Sequence, residues 1–222
     1  ADEVIQRYGR YADSFEELLS AADPQLSFQI YHVTQQDYPQ NIDECDAYLI
    51  TGSKASVYDD ADWIQRLKHF VVECFEQEKK LLGICFGHQL IAHALGGLVK
   101  KNQKGWGMGL ASSKVTGKPD WLSPVQNEFN LLVSHQDQVM QLPPQASLIA
   151  GNDFCPIASY QVNRSILTFQ GHPEFNRDYI QYLMSSRRKV IGEQVYQQAK
   201  QSLQQDLDHE LVGQWIVNFI RA

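Results

Sequence analysis

The chain reads as an α/β protein: a central, mostly parallel sheet with helices on its faces, forming three layers. Three observations predict that class. From Ser14 to Gly97 the expected elements run helix, strand, strand, helix, strand, tight turn, helix, the order of a parallel sheet with helical crossovers. The stretch Leu81–Gly97, LLGICFGHQLIAHALGG, passes from a short apolar run through a glycine-flanked turn into a segment of helical period. Finally, 222 residues and 25.4 kDa suffice to bury one continuous core, so residues 1–222 are read as a single domain.

Ser14 to Ala22 is expected to be the first helix, with Ser14 as N-cap, Glu17 at the capping-box position, and Phe15, Leu18 and Leu19 on one face. Leu26–Val33, LSFQIYHV, alternates polar and apolar residues as a half-buried strand does. Ala47–Ile50 is a short buried strand leading into Thr51, Gly52 and Ser53. Asp62–Glu78 places Ile64, Leu67, Phe70, Val71, Cys74 and Phe75 at helical spacing. The apolar run Leu81–Ile84 is the next strand. The helix after Cys85 turns Leu90, Ile91, Ala94 and Leu95 toward the sheet and stops at Gly96 and Gly97. Between Lys100 and Gln170, glycines and prolines separate short apolar runs, Leu131–Val133, Ser147–Ala150 and Ile166–Phe169. These predict shorter strands, some antiparallel, with a loop carrying Ser134, His135, Gln136 and Asp137. Beyond Pro173 the pattern is helical, with Tyr179, Leu183 and Met184 inward in one segment and Leu211, Trp215, Ile216 and Phe219 in the last.

A formal net charge of −7 and a pI near 5.4 argue against capture of nucleic acid or anionic lipid by bulk electrostatics. The cationic cluster Arg187, Arg188 and Lys189 is read as a solvated face or a helix end. Cys45, Cys74, Cys85 and Cys155 are widely spaced in a chain too long to need a disulfide framework, which predicts reduced thiols and a cytoplasmic location. No apolar run approaches the length needed to cross a bilayer.

Chemistry concentrates at two places. Cys85 lies in Gly-x-Cys-x-Gly, between Gly83 and Gly87, the cysteine form of the Gly-x-Ser-x-Gly elbow. Strand-to-helix turns of this kind project a side chain above the carboxyl ends of the strands. Free N–H groups at the start of a helix favour a thiolate over a thiol. The plain alternative is a buried structural cysteine. The second place is Gly171-His172-Pro173-Glu174, after the Ile166–Gln170 run. Pro173 favours extended backbone at His172, which sets imidazole and carboxylate side by side, a base and its orienter. A strand-end His with a solvated Glu is the alternative; with Cys85 also present, all three roles of a nucleophilic triad are filled. His88 and His93 do not extend this to a metal site, because helix-borne residues five apart do not share a face.

LLGICFGHQ together with FQGHPE resembles the class I glutamine amidotransferases, and the likeness extends to YLITGS at Tyr48–Ser53, SHQD at Ser134–Asp137 and the helical tail. The resemblance implies a flavodoxin-like fold and a catalytic triad of Cys85, His172 and Glu174. It implies an oxyanion hole from the N–H groups of Gly52 and Phe86, and substrate contacts from Gln89, Ser134 and His135. It implies no metal and no cofactor. The substrate would be glutamine or a γ-glutamyl compound, with ammonia passed to a separate synthetase or acceptor subunit, as in GMP-synthase-like pairs. A standalone γ-glutamyl peptide hydrolase and a non-catalytic glutamine-binding protein are the alternatives. The family normally begins with a strand before the first helix, so either that strand is missing from the start of this sequence, the favoured expectation, or the sheet is short by one strand. Ser53 stands where the family often has a second glycine in the oxyanion loop, a tolerable change because the donor is a backbone N–H.

Overall fold

The computed structural model describes residues 11–222. Their contacts divide them into two units, neither a contiguous stretch. One comprises Phe28–Lys101 with Asp137–Gln170; the other comprises the described residues through Ser27, Asn102–Gln136 and Gly171–Ala222.

The first unit holds strands β1 (Ala47–Ile50) and β2 (Lys80–Ile84), helices α2 (Asp62–Glu76) and α3 (Phe86–Ala94), and the ribbon strand β3 (Leu98–Lys101). Strands β6 (Asp137–Gln141), β7 (Ala146–Gly151), β8 (Ser159–Val162) and β9 (Ile166–Phe169) complete it. Its sheet runs β1-β2-β9-β8-β7, while β3 pairs with β6. The centre is parallel: Leu81 faces Ile166 and Ile84 faces Phe169 across β2 and β9, and β1 runs parallel to β2. β8 and β7 then continue antiparallel. All four residues of β9 and the last four of β2 are buried, as strands covered on both faces must be. Ile64, Val71 and Cys74 of α2 and Leu90 and Ile91 of α3 close the core with Leu81, Tyr160 and Ile166.

The second unit holds α1 (Tyr11–Ala22), the antiparallel pair β4 (Gly107–Val115) and β5 (Glu128–His135), and the helices α4 (Arg177–Ile191), α5 (Glu193–Ser202) and α6 (His209–Arg221). Ile180, Leu183 and Met184 of α4 pack with Met108 and Leu132 of the strand pair. On α6, Trp215 meets Phe129 edge-on at 5.5 Å. Among the described residues no helix is long and apolar enough to cross a membrane.

Four sequence expectations are corrected. The first described helix contains Ser14 rather than starting there, since Tyr11 already packs edge-on against Phe175 and Tyr179 at 5.9 and 6.2 Å and anchors the preceding turn. Helix α2 ends at Glu76, two residues early. Leu26–Val33 forms no strand. Its apolar positions are only partly covered, with Leu26, Ile30 and Val33 half-buried and Phe28 38% exposed, and the chain closes instead into a short 3-10 turn at Val33–Gln35. The expected loop at Ser134–Asp137 is not one, because Ser134 and His135 end β5 and Asp137 already opens β6. The expectation of a missing first strand concerns the start of the chain, where residues 1–10 lie outside the described residues.

Candidate active site

Cys85 occupies the junction between β2 and α3 with φ 51° and ψ −97°, a left-handed conformation that side chains other than glycine rarely take. Such geometry costs on the order of 1–3 kcal/mol and persists only where the surroundings enforce it. Here they do. The Cys85 N–H donates to the Phe169 carbonyl at 2.9 Å, and its own carbonyl accepts from Gln89 N–H at 3.1 Å. A Cβ on Gly83 would meet the Gly87 carbonyl at 2.7 Å, and a Cβ on Gly87 would run into the Ile50 carbonyl oxygen. The two glycines flanking the cysteine therefore let β1, β2 and the first turn of α3 approach one another. Cys85 itself is 8% exposed.

Phe86 is the first residue of α3, so its N–H has no partner within the helix. Neither it nor the N–H of Gly52, in the segment after β1, meets an acceptor among the described residues. The Phe86 ring packs on Trp63 at 5.5 Å, which fixes the start of the helix.

Gln89 is buried, and its side-chain NH2 donates to the Asp137 carbonyl at 2.7 Å and to Gln170 Oε1 at 3.0 Å. The Asp137 carboxylate accepts from Ser56 Oγ at 2.6 Å and from the Tyr58 phenol at 2.8 Å. Burial, with the Asp137 carboxylate adding to it, raises the Tyr58 phenol above its ordinary range and keeps it a donor. Asp137 thus ties the segment that carries Gly52 to the strand end that holds Gln89. Sequence reading named Asp137 only as part of a loop and missed this clamp, whose partners lie 79 and 81 residues away.

In the second unit, His172 N–H donates to the Leu132 carbonyl at 2.8 Å in an isolated antiparallel bridge to β5. Its Nδ1 lies 2.7 Å from Glu174 Oε1, with side-chain exposures of 3% and 1%. The other carboxylate oxygen, Oε2, is buried with no hydrogen-bond partner among the described residues. The imidazole lies flat on Phe175, centroids 3.8 Å apart and planes 6° from parallel, and Phe175 is held edge-on by Tyr179 at 4.7 Å. The Phe175 platform was also missed; its only sequence signal is an aromatic directly after His-Pro-Glu. Ser134 Oγ accepts from Arg187 at 2.5 Å, and His135 is buried.

The remaining candidates separate cleanly. All four cysteines are free. Burial pushes the thiols of Cys74 and Cys155 up to about 12, which keeps them protonated and inert. His88 is buried against Thr168 Oγ1 at 2.8 Å, and burial, then Lys68, lowers His93. Among the described residues no three His, Cys, Asp or Glu side chains gather as a metal site would require.

Comparison with known proteins matches residues 11–182 to the family model of glutamine amidotransferase class-I. A glutamine amidotransferase-like protein of Schizosaccharomyces pombe is 31% identical over 98% of this chain and 93% of its own length. Gamma-glutamyl peptidase 4 of Arabidopsis thaliana is 32% identical over 78% of this chain and 71% of its own. A solved glutamine amidotransferase from Thermotoga maritima superposes with a TM-score of 0.75 at 16% identity, covering 95% of this chain and 91% of that one, which supports the fold. The chain belongs to the class I glutamine amidotransferase family, whose members are amide-hydrolysing and amide-transferring enzymes.

Proposed function

We propose that this chain hydrolyses the γ-amide bond of glutamine or a γ-glutamyl compound through a thioester on Cys85. His172 takes the thiol proton, and the sulfur attacks the γ-carbonyl carbon. The tetrahedral oxyanion is stabilised by the N–H groups of Gly52 and Phe86, each worth about 3 to 4 kcal/mol in comparable sites. The intermediate collapses as protonated His172 hands its proton to the departing nitrogen, leaving a γ-glutamyl thioester. His172 then deprotonates a water that clears the acyl group as glutamate. Glu174 holds the imidazole tautomer through Nδ1 and stabilises the imidazolium formed in each half of the reaction. Gln89, Ser134 and His135 contact the substrate, and Gln89 can use its Oε1 because both amide protons are engaged.

The observation that carries this reading is the strained cysteine held between two packed glycines at the start of a helix, a geometry with no use in a merely structural thiol. It also weighs against a pure glutamine-binding protein. The leading version has glutamine as substrate and ammonia as product, supplied to a separate acceptor enzyme. A second reading, peptide hydrolysis by the chain alone, is favoured by the likeness to gamma-glutamyl peptidase 4 over most of both chains. Ammonia release from glutamine, measured beside glutamate release from γ-glutamyl dipeptides, separates the two. Turnover of glutamine, alone or after addition of a synthetase partner, supports the first, and turnover of peptides only supports the second. Ligand binding with no turnover of either substrate class contradicts both.

A further inference from the structure

The cationic cluster near the end of α4 does not behave as one surface. Arg188 forms a two-pronged pair with Glu193, both contacts at 2.7 Å, and covers the Tyr196 ring at 4.3 Å. Lys189 is exposed. Arg187 is different. It is half-buried, its guanidinium lies 5.7 Å from the Trp106 ring centroid, and its one hydrogen bond among the described residues is to the neutral Ser134 hydroxyl. No carboxylate of the described residues pairs with it, in a chain with 26 acidic and 19 basic residues. A guanidinium has five N–H donors in a planar fork, so one bond to a hydroxyl leaves most of them for an anion.

Its place in the fold matters as much as its charge. Ser134 is two residues beyond Leu132 on β5, and Leu132 is the residue bridged to His172. Residues two apart on a strand share a face and stand roughly 7 Å apart along it. The guanidinium is thereby fixed to the strand that fixes the imidazole.

We propose that Arg187, with Ser134 and Trp106, forms a subsite for a substrate carboxylate, an inference that rests on the γ-glutamyl reading above. The fork receives the carboxylate, the Ser134 hydroxyl orients the fork, and the indole face keeps it from swinging into solvent. Two carboxylates of a γ-glutamyl peptide have this chemistry: the α-carboxylate of the glutamyl group and the one at the C-terminus of the leaving peptide.

The test compares R187Q, R187K and the control K189Q on glutamine, γ-glutamylglycine and γ-glutamylglycine amide. R187Q is expected to lower kcat/KM by roughly 10- to 100-fold, mainly through KM, for every substrate bearing the recognised carboxylate. R187K recovers part of the loss, and K189Q matches wild type. A loss confined to γ-glutamylglycine assigns the leaving-side carboxylate; an equal loss on all three assigns the α-carboxylate. R187Q indistinguishable from K189Q on all three overturns the subsite while leaving the proposed reaction intact. Calorimetric binding of γ-glutamylglycine to C85A and to C85A/R187Q removes turnover from the question. If wild type turns over nothing yet R187Q weakens binding at least tenfold, the subsite stands and the reaction falls; equal binding overturns the subsite. Should R187Q fail to fold, R187K takes its place in the binding comparison, with several-fold weakening expected and unchanged affinity counting against the proposal.

Discussion

The cysteine turn and the histidine arm hold their reactive groups in opposite ways. At Cys85 the backbone does the positioning: a left-handed φ, hydrogen bonds through its own N–H and carbonyl, and two glycines packed against carbonyls. At His172 side chains do it: a buried carboxylate at 2.7 Å on one nitrogen and a parallel Phe175 ring beneath. The thiol's place is therefore set by what cannot fit nearby, and the imidazole's place by what touches it. Substitutions should consequently damage the two regions differently, one through the fold and the other through chemistry on an intact fold.

The sharpest way to break that contrast is a methyl group at the turn. Gly87→Ala forces a Cβ into the Ile50 carbonyl, so it should abolish turnover and lower stability by about 3 kcal/mol, read by denaturant unfolding. An active G87A of wild-type stability would show that the glycine packing does not set the elbow. At the other region, Glu174→Gln keeps the shape and removes the charge. It should cut kcat by roughly 100- to 10,000-fold while the unfolding midpoint moves little, since the amide can still reach Nδ1. A large loss of stability with modest loss of kcat would instead make Glu174 a structural residue.

The two regions also differ in how much of them could be read beforehand. Gly83, Cys85 and Gly87, and likewise His172 and Glu174, sit within a few residues of one another, so their spacing carries their geometry. Strands β1, β2 and β9 were legible for a related reason, since buried parallel strands are short continuous apolar runs. Leu26–Val33 was misread because alternation signals a strand only when one face is fully covered, and here Leu26, Ile30 and Val33 are only half-buried while Phe28 is exposed. The Ser134–Asp137 loop was misread because polar residues ended one strand and began the next with only Gln136 between. Contacts made across the fold, such as Asp137 with Ser56 and Tyr58 or Arg187 with Ser134, leave no local pattern at all.

The Asp137 clamp sharpens the comparison at its smallest scale, because it positions backbone by means of side chains. Asp137→Ala removes both acceptors from the segment after β1 but leaves the main-chain carbonyl that holds Gln89. We expect kcat to fall about tenfold with KM nearly constant, as suits a loosened oxyanion donor rather than a lost substrate contact. A rise in KM at constant kcat would assign Asp137 to binding instead.

The central claim is that the Cys85 sulfur becomes acylated during turnover. Rapid acid quenching of the enzyme with excess γ-glutamyl substrate, followed by mass mapping of its peptides, tests this directly. The account predicts one glutamyl group on the peptide containing Cys85, none on those containing Cys45, Cys74 or Cys155, and no turnover by C85A. A glutamyl group carried elsewhere, or substrate consumed by C85A at the wild-type rate, would contradict it.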